Sequence, residues 1–205
     1  MRTHRILLGL PALLAAASLA LPASGQGLDA EAKEVVKRAA AAYGGQCDWE
    51  DENYFLDNPP ERWTLSWMPA YGDAEQSLTL YKLFCFMGAY NVSHIYYTAS
   101  EEPFSGIQPV AFAMPEFEVI YENDDFEGAV EDIVVEGMTT AMMLVNSEFD
   151  PETQTIADFS LWRGIGDASS GGVWQFKEGR FVLKTYDVDA SYDGESNPTT
   201  LTDYE

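Results

Sequence analysis

The stretch LTLYKLFCFMGAYNVSHIYYT, residues 78–98, is the part of the sequence that decides the fold. Two runs within it, residues 78–86 and 92–98, are rich in the aromatic and β-branched side chains that are typical of β-strands. The MGAY segment between them, residues 87–90, has the right length for a hairpin connection. The stretch therefore predicts two long antiparallel strands joined by a short turn.

Strand patterns continue on both sides of this hairpin. Aromatic and aliphatic residues alternate with polar ones over residues 63–67, and they alternate with glutamates over residues 117–121, which indicates strands with one buried and one polar face. Residues 174–188 contain two more strand-like runs around a Glu-Gly pair that suits a hairpin turn. We expect a mainly β, antiparallel fold, either sandwich-like or α+β with one N-terminal helix.

The helix is predicted within residues 26–45. Asp29 is a suitable N-terminal cap, apolar residues recur at helical spacing after it, and Gly44 and Gly45 follow the last of them. Because many of these apolar residues are alanines, the helix needs a partner surface to be stable. Residues 46–205 then form a single β-rich domain.

The N-terminus has the three parts of a secretory signal peptide. Arg2 and Arg5 precede an apolar run over residues 6–21, and small residues follow around Ser24. This pattern predicts a cleaved signal peptide at residues 1–25 and a soluble periplasmic protein. An uncleaved anchor is the alternative, but a run of about 16 residues is shorter than the roughly 20 that a spanning helix needs.

The chain is strongly acidic, with 34 Asp and Glu against 11 Lys and Arg and a formal net charge of −23. The predicted signal peptide holds two of the bases and none of the acids, so its removal gives −25. Such a charge repels nucleic acid and anionic membrane surfaces and argues against both as partners. The hydrophobic content of 46% supplies a core, so the acidity does not indicate disorder. An envelope protein or a small ligand stays open as the partner.

Cys47 and Cys85 are the only two cysteines of the chain. In an oxidising compartment they are expected to form a disulfide bond, and a pair of buried free thiols is the alternative. Closing a loop of this length stabilises a fold by roughly 3 to 4 kcal/mol in the chain-entropy account. A disulfide would leave no thiolate for a zinc site or for nucleophilic catalysis.

Residues 189–194, DASYDG, resemble the beginning of a calcium-binding loop. Asp189, Ser191 and Asp193 place oxygen atoms at alternate positions, and a glycine follows them, as in such loops. The pattern fails later, because Thr200 stands where a bidentate glutamate is expected. Calcium is the one candidate cofactor, and a polar turn is the alternative interpretation.

Signatures of catalysis are weak. His94 is the only histidine after the predicted signal peptide, and no G-x-S-x-G nucleophile motif accompanies it, so we interpret it as structural. The acidic residues around 123–132 indicate a solvated loop. Two of the 34 acids could still face each other as the acid and base of a glycoside hydrolase. A carboxylate-based hydrolase is therefore the alternative to a non-enzymatic binding domain.

Four motifs between residues 85 and 183 occur in a characteristic order and spacing: CFMGAYN at residues 85–91, FDPETQTI at 149–156, RGIGD at 163–167 and WQFKEGRFVL at 174–183. Together they resemble a family of bacterial exported proteins catalogued as domain of unknown function 1176, mainly its C-terminal half. The resemblance implies a β-rich periplasmic domain and brings no known activity or catalytic residue. It also implies two family cysteines at places that hold Ala168 and the segment around Ala190 in this chain.

The same motifs supply candidate ligand-binding residues. They are Tyr90 and Asn91 in GAYN, and Arg163 and Asp167 in RGIGD. The alternative is a structural role, in which Asn91 fixes a turn and Arg163 pairs with Asp167. We expect an exported periplasmic protein with a non-enzymatic binding or envelope-associated role, and a hydrolase or a calcium-dependent binding module are the alternatives.

Overall fold

The computed structural model describes residues 28–49, 54–101, 106–126 and 128–204. The predicted signal peptide at residues 1–25 lies outside these ranges. The described part contains two helices, α1 (Ala30–Tyr43) and α2 (Tyr54–Asp57), and its strands form three antiparallel sheets. The mainly β prediction with one N-terminal helix is confirmed.

The first sheet contains the hairpin predicted from residues 78–98. Its five strands are β1 (Glu61–Trp67), β2 (Gln76–Met87), β3 (Val92–Ala99), β4 (Ile107–Pro109) and β7 (Met143–Val145). They lie in the order β1-β2-β3-β4, and β7 pairs with the same strand, β3, as β4 does. Tyr81 in β2 lies opposite Tyr97 in β3.

The second sheet has six strands and contains the C-terminal hairpin. They are β8 (Glu148–Asp150), β9 (Thr155–Ala157), β10 (Ser160–Leu161), β11 (Ser169–Lys177), β12 (Arg180–Asp189) and β13 (Thr199–Asp203). The order is β13-β12-β11-β9-β8, with β10 beside β11. Glu178 and Gly179 have φ values of 49° and 83°, so the predicted Glu-Gly turn joins β11 to β12.

The third sheet is a two-stranded ribbon of β5 (Phe112–Tyr121) and β6 (Val130–Ala141). A short 3-10 helix, Glu122–Asp124, begins the connection between them. The indole N–H of Trp174 donates to the carbonyl of Ala113 at 2.7 Å, and the Tyr121 hydroxyl donates to the carbonyl of Ala190 at 3.1 Å. These two hydrogen bonds attach both ends of β5 to the second sheet.

The first sheet is covered on both faces, which explains why residues 80–87 of β2 are apolar except for Lys82. One face packs against α1, in a cluster that includes Val35, Ala39, Tyr81, Leu83 and Ile95. The other face packs against the second sheet and the ribbon, in a cluster that includes Leu80, Tyr96, Phe112, Ile156 and Trp174. The core therefore has two layers, one on each side of the first sheet.

The predicted disulfide bond is present between Cys47 and Cys85. Cys47 follows α1 and Cys85 lies in β2, so the bond fastens the helical layer to the first sheet. Asp29 caps α1 as predicted, because its carboxylate accepts a hydrogen bond of 2.9 Å from the Ala32 N–H. Among the described helices, neither has the length and apolar character needed to cross a membrane.

Candidate functional site

Tyr90 and Asn91 bind the backbone that precedes the RGIGD motif. The Asn91 side chain donates from Nδ2 to the Leu161 carbonyl at 2.8 Å and accepts at Oδ1 from the Leu161 N–H at 3.1 Å. The Tyr90 hydroxyl donates to the Trp162 carbonyl at 3.2 Å. The Tyr90 ring also lies beside Gly164, where an added methyl group would be in ordinary van der Waals contact with it at 3.4 Å. The two motifs are therefore joined directly.

Arg163 and Asp167 form an ion pair, in which Arg163 Nε lies 2.6 Å from Asp167 Oδ1 and a second guanidinium nitrogen contacts Oδ2. Arg163 holds the pKa of the buried Asp167 carboxyl well below its usual range. Arg163 also donates to the Tyr192 carbonyl at 2.8 Å, and the Gly194 N–H donates to Asp167 at 2.9 Å. The pair therefore fixes the loop after β12. Ligand binding by Tyr90, Asn91, Arg163 and Asp167 stays a prediction.

The three predicted calcium ligands lie in a polar turn. Asp189 Oδ1 accepts from the N–H and hydroxyl of Ser191, at 3.0 and 2.7 Å, and Asp189 Oδ2 accepts from the Asn197 N–H. Asp193 accepts from the Glu195 N–H at 2.8 Å. Within the described residues, no group of three or more His, Cys, Asp or Glu side chains is arranged to hold a metal ion. Calcium binding stays a prediction.

A buried lysine lies in the middle of β2, on the face of the first sheet that packs against the second sheet. The Lys82 side chain is only 3% exposed, and its ammonium group lies 3.2 Å from Glu61 and 3.1 Å from Glu148. Glu61 lies directly opposite Lys82 in the β1–β2 ladder, whereas Glu148 comes from the second sheet. A buried ammonium group needs such partners, because its desolvation is costly.

His94 lies on the same face of the sheet, one strand away. Its Nδ1 lies 3.2 Å from the hydroxyl of Ser147, which lies 2.9 Å from the hydroxyl of Tyr96. Burial of the ring, with the charge of Lys82 as the second cause, lowers the pKa of His94 to about 4. The imidazole is therefore neutral at physiological pH and has one nitrogen that accepts a hydrogen bond and one that donates.

Lys82 and His94 both line an open cleft, which has a volume of about 440 Å³. The remaining lining is largely flat and apolar and comprises Tyr54, Asn58, Pro59, Pro60, Glu61, Phe84 and Met87. The Tyr54 and Phe84 rings are stacked, with centroids 6.1 Å apart. This Lys82–His94 cleft thus combines hydrogen-bond donors and acceptors with aromatic surfaces.

Of the residues of this cleft, only His94 was singled out by the sequence, with a structural interpretation. A signal for Lys82 was present, because a single lysine in the otherwise apolar run over residues 80–87 implies a buried charge with partners. No sequence feature distinguishes Glu61 and Glu148 from the other acids among the 34 of the chain. Only the pairing of β1 with β2 in the structure places Glu61 opposite Lys82. Ser147 reaches His94 because β7 pairs with β3, a contact between distant segments.

A comparison with protein-family models matches residues 11–198 to a family described as a protein of unknown function, DUF1176. The match begins well before the motifs at residues 85–183 and includes α1. Searches of curated proteins and of solved structures gave no match.

Proposed function

The chain belongs to the DUF1176 family of unknown function, and we propose that it is a non-enzymatic binding domain of the bacterial periplasm. The disulfide between Cys47 and Cys85 supports an oxidising compartment, as does the N-terminal sequence pattern. The observation that carries the binding role is the Lys82–His94 cleft, where a buried ammonium group and a neutral imidazole line one open cavity.

The chemistry of the cleft favours a neutral ligand with several hydroxyl groups. Glu61 and Glu148 together outweigh the charge of Lys82, and the whole chain is strongly acidic, so an anionic ligand would be repelled. The Tyr54 and Phe84 rings offer flat surfaces of the kind on which sugar rings stack. The cavity volume suits a ligand of one or two sugar units. We therefore propose a saccharide of the cell envelope as the ligand class.

The test is a titration of the mature protein with N-acetylglucosamine, glucose and their disaccharides. Binding is measured as changes in the chemical shifts of the amide and histidine-ring NMR signals. We expect saturable shifts centred on Phe84, Met87 and His94 at millimolar sugar. The double variant Lys82→Met, His94→Phe is expected to weaken binding about tenfold or more, because it removes the polar groups of the cavity. Glu75→Gln is the matched control, since Glu75 lies in a separate polar depression of the first sheet.

Two outcomes would overturn the proposal. If none of these sugars gives a saturable shift in the folded protein, the cleft does not bind this ligand class. If the protein instead releases new reducing ends from the disaccharides, and Glu61→Gln or Glu148→Gln abolishes that release, the protein is a carboxylate-based hydrolase.

A further inference from the structure

The β5–β6 ribbon presents a surface that the cleft proposal does not use. The inner side of the ribbon packs on the core through Phe117, Val119 and Ile133, and the Phe117 ring stacks on Trp162 with centroids 6.3 Å apart. Together with the hydrogen bonds at both ends of β5, these contacts hold the ribbon in place. Its outer side is therefore a preformed surface.

The ribbon's outer face consists of Glu116, Glu118, Ile120, Asp132 and Val134, all of which are exposed. Glu118 lies directly opposite Val134, and Ile120 lies directly opposite Asp132. Each aliphatic side chain thus has a carboxylate as its cross-strand neighbour. Ile120 and Val134 remain 37% and 39% exposed, and within the described residues no other layer covers them.

The charge of this region is entirely negative. Residues 112–141 contain nine acidic residues and no lysine, arginine or histidine, and no lysine or arginine occurs between Lys82 and Arg163. None of the three carboxylates of the outer face forms a salt bridge with a described residue. Among the described residues, the acids of the outer face therefore have no opposite charge that neutralises them.

We propose that the ribbon's outer face binds a basic segment of another periplasmic protein. Lysine or arginine side chains of that segment pair with Glu116, Glu118 and Asp132, while its aliphatic residues cover Ile120 and Val134. Charge complementarity of this kind favours fast association and selects the partner, and the aliphatic pair adds apolar contact. A second copy of this chain is a poor occupant, because two such faces repel each other.

The test uses the intact mature protein and a fluorescent synthetic peptide of alternating lysine, valine and threonine. We expect saturable binding by fluorescence anisotropy at low salt, which weakens as the ionic strength rises. The double reversal Glu118→Lys, Asp132→Lys is expected to weaken binding about tenfold or more. The matched control is Asp73→Lys, Glu152→Lys, which changes the net charge equally at exposed positions outside the ribbon. This control should retain most of the affinity.

A second variant, Ile120→Ser with Val134→Ser, keeps the charge and tests the apolar part of the proposal; we expect a loss of severalfold. Equal weakening by both double reversals would show attraction by net charge alone and overturn the site. Absence of binding at low salt by the folded protein would overturn it as well. Sedimentation experiments test whether the protein self-associates. If it does, and if Glu118→Lys, Asp132→Lys abolishes this self-association, the face binds a second copy of this chain and the proposed partner protein is wrong. None of these outcomes bears on the sugar titration, so the two proposals fail separately.

Discussion

The side chain of Asn91 pairs with the backbone of Leu161 through two hydrogen bonds: it donates to the Leu161 carbonyl and accepts from the Leu161 N–H. Asn146 extends this arrangement. Its Nδ2 donates to Asn91 Oδ1 at 3.0 Å and to the Phe159 carbonyl at 2.9 Å, and its Oδ1 accepts from the Val92 N–H at 2.8 Å. At the junction between the hairpin of the first sheet and the second sheet, hydrogen bonds from two asparagine side chains thus take the place of backbone hydrogen bonds between strands.

This arrangement predicts a large effect of Asn91→Ala on stability. The substitution leaves the N–H and carbonyl of Leu161 without partners in a half-buried place, so we expect the free energy of unfolding to fall by about 2 to 3 kcal/mol in urea titrations. The control is Asn197→Ala, because the bond that Asn197 makes comes from its backbone N–H and survives the substitution. A fall of the same size in both variants would contradict the role assigned to the Asn91 side chain.

The Lys82 cluster predicts an asymmetry between its members. Glu61 and Glu148 are 58% and 79% exposed, so Lys82→Met returns them to water and also removes the cost of burying an ammonium group. We expect Lys82→Met to change the free energy of unfolding by less than about 1 kcal/mol. Glu61→Gln with Glu148→Gln instead leaves the buried ammonium without a countercharge, and we expect a loss of about 2 to 4 kcal/mol. The reverse order in urea titrations would refute this account.

His94 predicts a stability change with pH. Its pKa falls from 6.5 to about 4 on folding, so between these values the unfolded chain takes up a proton that the folded protein excludes. The free energy of unfolding therefore decreases as the pH falls through this window. We expect a decrease of about 1 to 2 kcal/mol, which is less than the full pKa difference would give, because partial exposure of the ring screens its charge.

The variant His94→Gln removes this titration and should be less sensitive to pH over the same window. The measurement is the difference between wild-type and variant urea stability at several pH values. Burial raises the pKa of Asp158 to about 6, and this group acts in the opposite direction. It is present in both proteins and cancels in the difference. A difference that does not vary with pH would contradict the assignment.

Local sequence patterns predict the elements of this fold well. The apolar run over residues 78–98, the Asp29 cap and the Glu178–Gly179 turn each depend on neighbouring residues, and each has the predicted form. The disulfide followed from the cysteine count and the predicted compartment, since only one pairing within the chain exists. Such features need no knowledge of how distant segments meet.

The candidate site was less predictable, because its residues come together through pairings between distant segments. Ser147 meets His94 through the β3–β7 ladder, and Glu148 reaches Lys82 from another sheet. The sequence of β6 gives no continuous strand signal, since its alternation is interrupted at Glu131 and Glu136, where the β5–β6 register shifts. A bulge moves the following side chains to the other face and hides the period of two.

Ala168 and Ala190 lie where the resemblance to the family implies two cysteines. Ser169 lies opposite Asp189 in the β11–β12 ladder, so Ala168 and Ala190 are next to each other one step further along, and both are buried. Adjacent positions on antiparallel strands have the Cα separation that a disulfide needs. We expect Ala168→Cys with Ala190→Cys to form a disulfide bond in the oxidised protein and to raise the free energy of unfolding by about 3 kcal/mol.

Mass spectrometry of the non-reduced protein detects the bond, and urea titration with and without reductant measures the change in the free energy of unfolding. Ala168→Cys alone is the control. Two alkylatable thiols in the folded double variant would contradict the adjacency of these two positions.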